Sequence, residues 1–137
     1  MPVSPFETFH HAMRDSPPAR LPDDVLIVED DPIIALDFEE TIRGFGVKTI
    51  RTAASVCRAL QMIDKRPPDF ALLDVGLVRE TSFAIAERLE ALGIPFAFVT
   101  GYSADVRAPE AFAKKPRLPK PCNSEALAAL FETFRKR

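Results

Sequence analysis

From Val25 onward, short apolar runs alternate with amphipathic stretches, and four of the runs end in polar residues. VLIV leads into Glu29 and Asp30, FALL into Asp74, PFAFV into Thr100 and RLP into Lys120. Runs of this length, bounded by turn residues, have the signature of buried strands. The intervening stretches carry helix signals. Pro32 opens a helix to about Arg43, which Gly44 and Gly46 stop. Lys48 to Thr52 makes a weaker second strand. Ser55 can cap a helix with Val56, Ala59, Leu60 and Ile63 on one face, ending before Pro67 and Pro68. The third strand is Phe70 to Asp74. A helix from Ser82 to Ala91 turns Phe83, Ala86 and Leu89 inward and ends at Gly93, ahead of a fourth strand from Ile94 to Thr100. Gly101 to Pro116 is irregular, with a short helix at most around Pro109 to Lys114. The fifth strand lies at Arg117 to Lys120, and Asn123 or Ser124 caps a last helix through Arg135 with Leu127, Leu130 and Phe131 inward.

Strands alternating with helices imply an α/β fold, a doubly wound parallel sheet joined by right-handed crossovers. Five strands in the order 2-1-3-4-5 put strands 1 and 3 side by side and make Asp30 and Asp74 neighbours. Ligands of such sheets bind outside the carboxyl ends of the strands, where the four polar ends converge. Composition narrows the field further. The 137 residues suit one domain and leave no room for a second output domain. Residues 1–23 are rich in Pro and read as a flexible arm, leaving 24–137 as the domain; Phe6, Phe9 and Met13 in the arm have helical spacing, and His10 and His11 lie away from the polar strand ends. A net charge of -2 and a pI near 5.7 argue against nucleic acid as a partner. Cys57 and Cys122 are too few for a disulfide scaffold, and no apolar stretch is long enough to span a bilayer. A cytoplasmic protein without membrane contact is expected.

Carboxylates crowded at neighbouring strand ends repel unless a cation lies between them, and Mg²⁺ is the hard, oxygen-seeking candidate. Asp74, alone at the end of the central strand, is the expected nucleophile. Lys120 offers a point charge to a phosphoryl oxygen and Thr100 a hydrogen bond. The constellation therefore suits phosphoryl chemistry.

VLIVEDDPIIAL, FALLDV, FVTG and LPKP resemble, in order, the signatures of the receiver domain of two-component response regulators, over Asp24 to Arg137. ETSFAIAERL followed by GIPFAFVTGYS is similar to the stand-alone FATGUY subgroup. The resemblance implies a flavodoxin-like fold with a short or irregular fourth helix, and Asp74 as the phosphoacceptor. It implies Mg²⁺ held by Asp30, Asp74, the backbone carbonyl of Gly76 and, through water, Glu29, with Thr100 as switch hydroxyl and Lys120 sensing phosphate. A sensor histidine kinase or phosphotransferase would supply the phosphoryl group, a downstream protein would receive the signal, and the chain would be a monomer or weak dimer. A cis Lys120–Pro121 bond is also implied.

The chain departs from the pattern in places. Arg117 stands where receivers often carry an aromatic switch, and Tyr102 is the expected substitute. Pro119 removes a backbone donor and is expected to distort the fifth strand, while Asp31 is an extra, peripheral acid. Gly76 lacks a side chain that many receivers carry, with consequences for water access and acyl-phosphate lifetime. Two competing readings are a pseudo-receiver that binds protein without phosphorylation, and an aspartyl phosphatase of the haloacid-dehalogenase type. The latter needs a second Asp two residues after the nucleophile, where this chain has Gly76.

Overall fold

A computed structural model describes residues 21–77, 80–101, 112, 115–120 and 123–134. The elements are β1 (Asp24–Val28), α1 (Pro32–Phe45), β2 (Thr49–Ala53), α2 (Val56–Lys65), β3 (Phe70–Asp74), β4 (Gly76–Leu77), β5 (Glu80–Thr81), α3 (Phe83–Leu92), β6 (Phe96–Thr100), β7 (Arg117–Pro119) and α4 (Ser124–Phe134). Five of the strands form one parallel sheet in the order β2-β1-β3-β6-β7. This is the expected 2-1-3-4-5 order, with a small antiparallel pair, β4–β5, interposed in sequence.

The apolar runs are continuous because both faces of the sheet are covered, so both sets of alternating side chains are buried. On one face Leu26, Val28, Ala71, Leu73, Phe96 and Phe98 pack with Ala59 and Ile63 of α2 and Ile85, Ala86 and Leu89 of α3. On the other, Val25, Ile27, Phe70, Leu72, Ala97 and Val99 pack with Phe38 and Ile42 of α1 and Leu127, Leu130 and Phe131 of α4. Phe131 meets Phe70 edge-on with ring centroids 5.3 Å apart, fixing α4 against the central strand. Leu21 is packed against this second cluster, and the Asp23 carbonyl accepts the Thr49 N–H, so both residues are tied to the domain.

Local chemistry explains the boundaries. Asp31 is the N-cap of α1, its Oδ1 accepting the N–H groups of Ile33 (2.9 Å) and Ile34 (3.4 Å). The helix runs through Gly44 and stops at Gly46, whose φ of 107° is the left-handed conformation that a C-terminal stop requires. Gly44 lies inside the helix and is not a stop. On α3 the inward set also includes Ile85, while Phe83 is only partly buried. The β4–β5 hairpin was not anticipated, because two-residue strands are too short to show a period.

Pro119 does not distort β7. It keeps parallel register opposite Thr100 on the edge of the sheet, and the following Lys120 N–H donates to the Thr100 carbonyl at 2.8 Å. An edge strand tolerates the missing donor. The 109–114 helix as a whole, Tyr102, Cys122, the Lys120–Pro121 bond and the arm up to residue 20 lie outside the described residues. Among the described residues, no helix is long and apolar enough to cross a membrane.

Candidate functional site

The carboxyl ends of β1, β3, β6 and β7 meet at one edge of the sheet. Backbone bonds hold them level: Glu29 N–H donates to Ala53 C=O at 3.0 Å, Val75 N–H to Val99 C=O at 3.0 Å, and Lys120 N–H to Thr100 C=O. Glu29 and Asp74 are buried, at 2% and 4% exposure, and both carboxylates face the Lys120 side chain. The Lys120 Nζ donates to Glu29 Oε1 at 3.0 Å and to Asp74 Oδ2 at 3.2 Å. Glu29 also accepts the Asp31 N–H at 3.2 Å through Oε2, and Asp74 accepts the Gly76 N–H at 3.3 Å through Oδ1.

One carboxylate oxygen each from Glu29, Asp30 and Asp74 lie within 4.8 Å of one another. Burial pushes the Glu29 carboxyl up to about 7, and the neighbouring Asp74 adds to the rise against the hydrogen bonds from Lys120 and the Asp31 amide. Burial alone would lower the Lys120 ammonium, but its bonds to Glu29 and Asp74 prevail and raise it. The site thus holds crowded, desolvated acid around one shared cation. Hard oxygen donors at this spacing, two of them buried, fit a divalent metal ion.

Thr100 ends β6, the strand beside Asp74, and is part-exposed. Gly76 borders the acid cluster, and a Cβ built there would meet nothing within 4 Å, so the missing side chain leaves open space next to Asp74. The structure therefore brings together Glu29, Asp30, Asp74, Gly76 and Lys120, with Thr100 on the adjoining strand end. Asp31 has a defined task that the sequence reading gave it no part in: it caps α1. Two further residues went unassigned. Glu80 accepts the Val56 N–H at 3.1 Å through its carboxylate, and Ser82 is fully buried with an unpartnered hydroxyl. Neither had a sequence signal, because the first is a contact across 24 residues and the second depends on how the hairpin closes.

A doubly wound sheet with acids, a hydroxyl and a lysine at its strand ends defines a phosphoryl-accepting signalling module rather than a catalytic enzyme. A family model for the response regulator receiver domain matches residues 25–132, and the chain belongs to that family. It is 30% identical over 82 residues to the phyllosphere-induced regulator PhyR of Methylorubrum extorquens, an alignment covering 58% of this chain and 31% of PhyR. The chain thus matches about a third of that relative's length. The solution structure of SdrG from Sphingomonas melonis Fr1 is 36% identical with a TM-score of 0.70, covering 77% of this chain and 90% of SdrG. A second SdrG structure, described as its BeF3-activated conformation and assigned to Pseudomonas melonis Fr1, is also 36% identical, with a TM-score of 0.66 and coverage of 80% and 96%.

Proposed function

We propose that Asp74 accepts a phosphoryl group from a sensor histidine kinase or phosphotransferase in the cytoplasm, and that the modified surface switches a downstream protein partner or passes the group on. The carrying observation is the Lys120 Nζ placed between the Glu29 and Asp74 carboxylates, with Asp30 completing the acid cluster. An Asp74 oxygen attacks phosphorus, the new O–P bond forms as the donor's P–N bond breaks, and the departing imidazole nitrogen takes up a proton. Lys120 then exchanges its Asp74 contact for a phosphoryl oxygen, as a point charge on a flexible stem can. Thr100 offers its hydroxyl to another phosphoryl oxygen, and Tyr102 is the residue proposed to follow it. Mg²⁺, held by Asp30, Asp74 and the Gly76 carbonyl with Glu29 acting through water, would neutralise charge during transfer. The activated conformation described for SdrG supports the reading that a relative with this fold responds to a phosphoryl mimic.

Incubation with acetyl phosphate and Mg²⁺, followed by peptide mapping, tests this. A single acid-labile adduct on the peptide carrying Asp74 is expected. No adduct there, with partner capture indifferent to phosphodonor, would make the chain a phosphorylation-independent binding module instead.

A further inference from the structure

The strand that carries Asp74 does not lead straight into α3. β4 and β5 fold back on each other, with Gly76 opposite Thr81 and Leu77 opposite Glu80. The Ser82 N–H then donates to the Val75 carbonyl at 3.3 Å, closing the segment beside the residue that follows Asp74. The Ser82 hydroxyl, buried without a partner, does not hold this junction.

Glu80 reaches out of the hairpin. Its Oε2 accepts the Val56 N–H at the first turn of α2 at 3.1 Å. That helix already has a local cap, since Ser55 Oγ accepts the Arg58 N–H at 3.2 Å, so Glu80 satisfies a second exposed amide from a distant part of the chain. A carboxylate at this end is also favoured by the helix dipole. On the opposite strand of the hairpin, Gly76 donates its N–H to Asp74 Oδ1. Gly76 is exposed and has no side chain to pack, so its place depends on the strand it pairs with.

We propose that Glu80 is a positioning residue for Asp74. Fastened to α2, it holds the β4–β5 pair and, through it, the Gly76 N–H against the Asp74 carboxylate. This rests on Asp74 being the phosphoacceptor. The rival explanation is that buried Leu77 anchors the hairpin by itself and the Glu80 carboxylate is merely solvated.

Glu80→Ala and Glu80→Gln separate the two. In Glu80→Ala, amide NMR of the phosphate-free protein should show the Gly76 resonance displaced and Val56 exchanging about tenfold faster, and acetyl phosphate should label Asp74 about tenfold more slowly. Glu80→Gln keeps an accepting oxygen and should stay within about twofold of wild type in both rates. Unchanged Gly76 and labelling in Glu80→Ala would overturn the proposal in favour of Leu77. An equal loss in Glu80→Gln would overturn it as well. Absence of labelling in wild type would instead strike the function given to Asp74, while the Gly76 and Val56 amides, read without phosphodonor, still decide whether Glu80 positions Gly76.

Discussion

Acidic side chains gather at both ends of the sheet, but they are satisfied in opposite ways. At the amino end, the Asp24 carboxylate lies between Arg51 Nε at 3.0 Å and Arg66 Nε at 3.1 Å. Arg51 also donates to the carbonyls of Met62 (3.4 Å) and Arg66 (2.8 Å), and Asp69 Oδ2 accepts the N–H groups of Asp23 (3.1 Å) and Asp24 (3.0 Å). These partners tie β1, β2 and the end of α2 together. At the carboxyl end one ammonium is shared by two buried carboxylates, with a third acid beside them and Glu29 held up near 7. The same residue types make a closed clamp at one end and an acid-crowded site at the other. Balance of charge, rather than residue identity, separates structural from chemical carboxylates here.

The comparison predicts a clean exchange of phenotypes. Asp74→Asn should reduce phosphoryl uptake from acetyl phosphate by about a hundredfold or more, measured by intact mass, with folding stability unchanged or raised. Asp24→Ala should do the reverse. It strands the part-buried Arg51 guanidinium and should cost about 2–3 kcal/mol in urea denaturation, while labelling stays within about twofold. Loss of labelling in folded Asp24→Ala protein would erase the distinction between the two ends.

Within the carboxyl end, Asp30 sharpens the contrast. Asp30→Ala removes one of three oxygens from the cluster, and Mg²⁺ affinity should fall about tenfold, or about 1.4 kcal/mol, by titration. Asp31→Ala, one residue on, should behave like an amino-end mutation. It loses an N-cap worth about 1 kcal/mol in urea denaturation and leaves Mg²⁺ affinity within about twofold. Equal effects of the two on metal affinity would mean that Asp31 belongs to the site.

The division between legible and illegible features follows the same physics. β1 and β3 were readable because burial on both faces makes them continuous apolar runs, and their polar ends marked Glu29, Asp30 and Asp74 directly. The α1 stop was misread because Gly44 and Gly46 are equivalent by composition, and only the backbone reveals which adopts positive φ. Pro119 looked disruptive because a missing donor matters in a central strand, whereas β7 lies at the sheet's edge. The hairpin and the Glu80 bond to Val56 were hidden, since strands of two residues have no period and a contact across the sheet leaves no local pattern.

The smallest predicted effect is a pH dependence confined to the carboxyl end. In protein freed of metal by EDTA, Glu29 has its carboxyl raised from 4.5 to about 7, mainly by burial. The folded state therefore holds this proton more tightly than the unfolded chain does. The associated stability is fully present below about 4.5 and is lost as pH rises through about 7. Lys120 is also raised, from 10.5, so its contribution is lost only at higher pH and does not oppose the trend in this window. Glu29→Gln cannot ionise, and comparison with it removes the titration of acids elsewhere. Between about pH 5 and pH 8, wild type should lose on the order of 1 kcal/mol relative to Glu29→Gln, a modest figure because water screens the open side of the site. Added Mg²⁺ should narrow that difference by favouring the ionised carboxylate. Urea titrations across this range check it: parallel stability profiles for the two proteins would show that Glu29 is no more strained than the clamped acids at the other end.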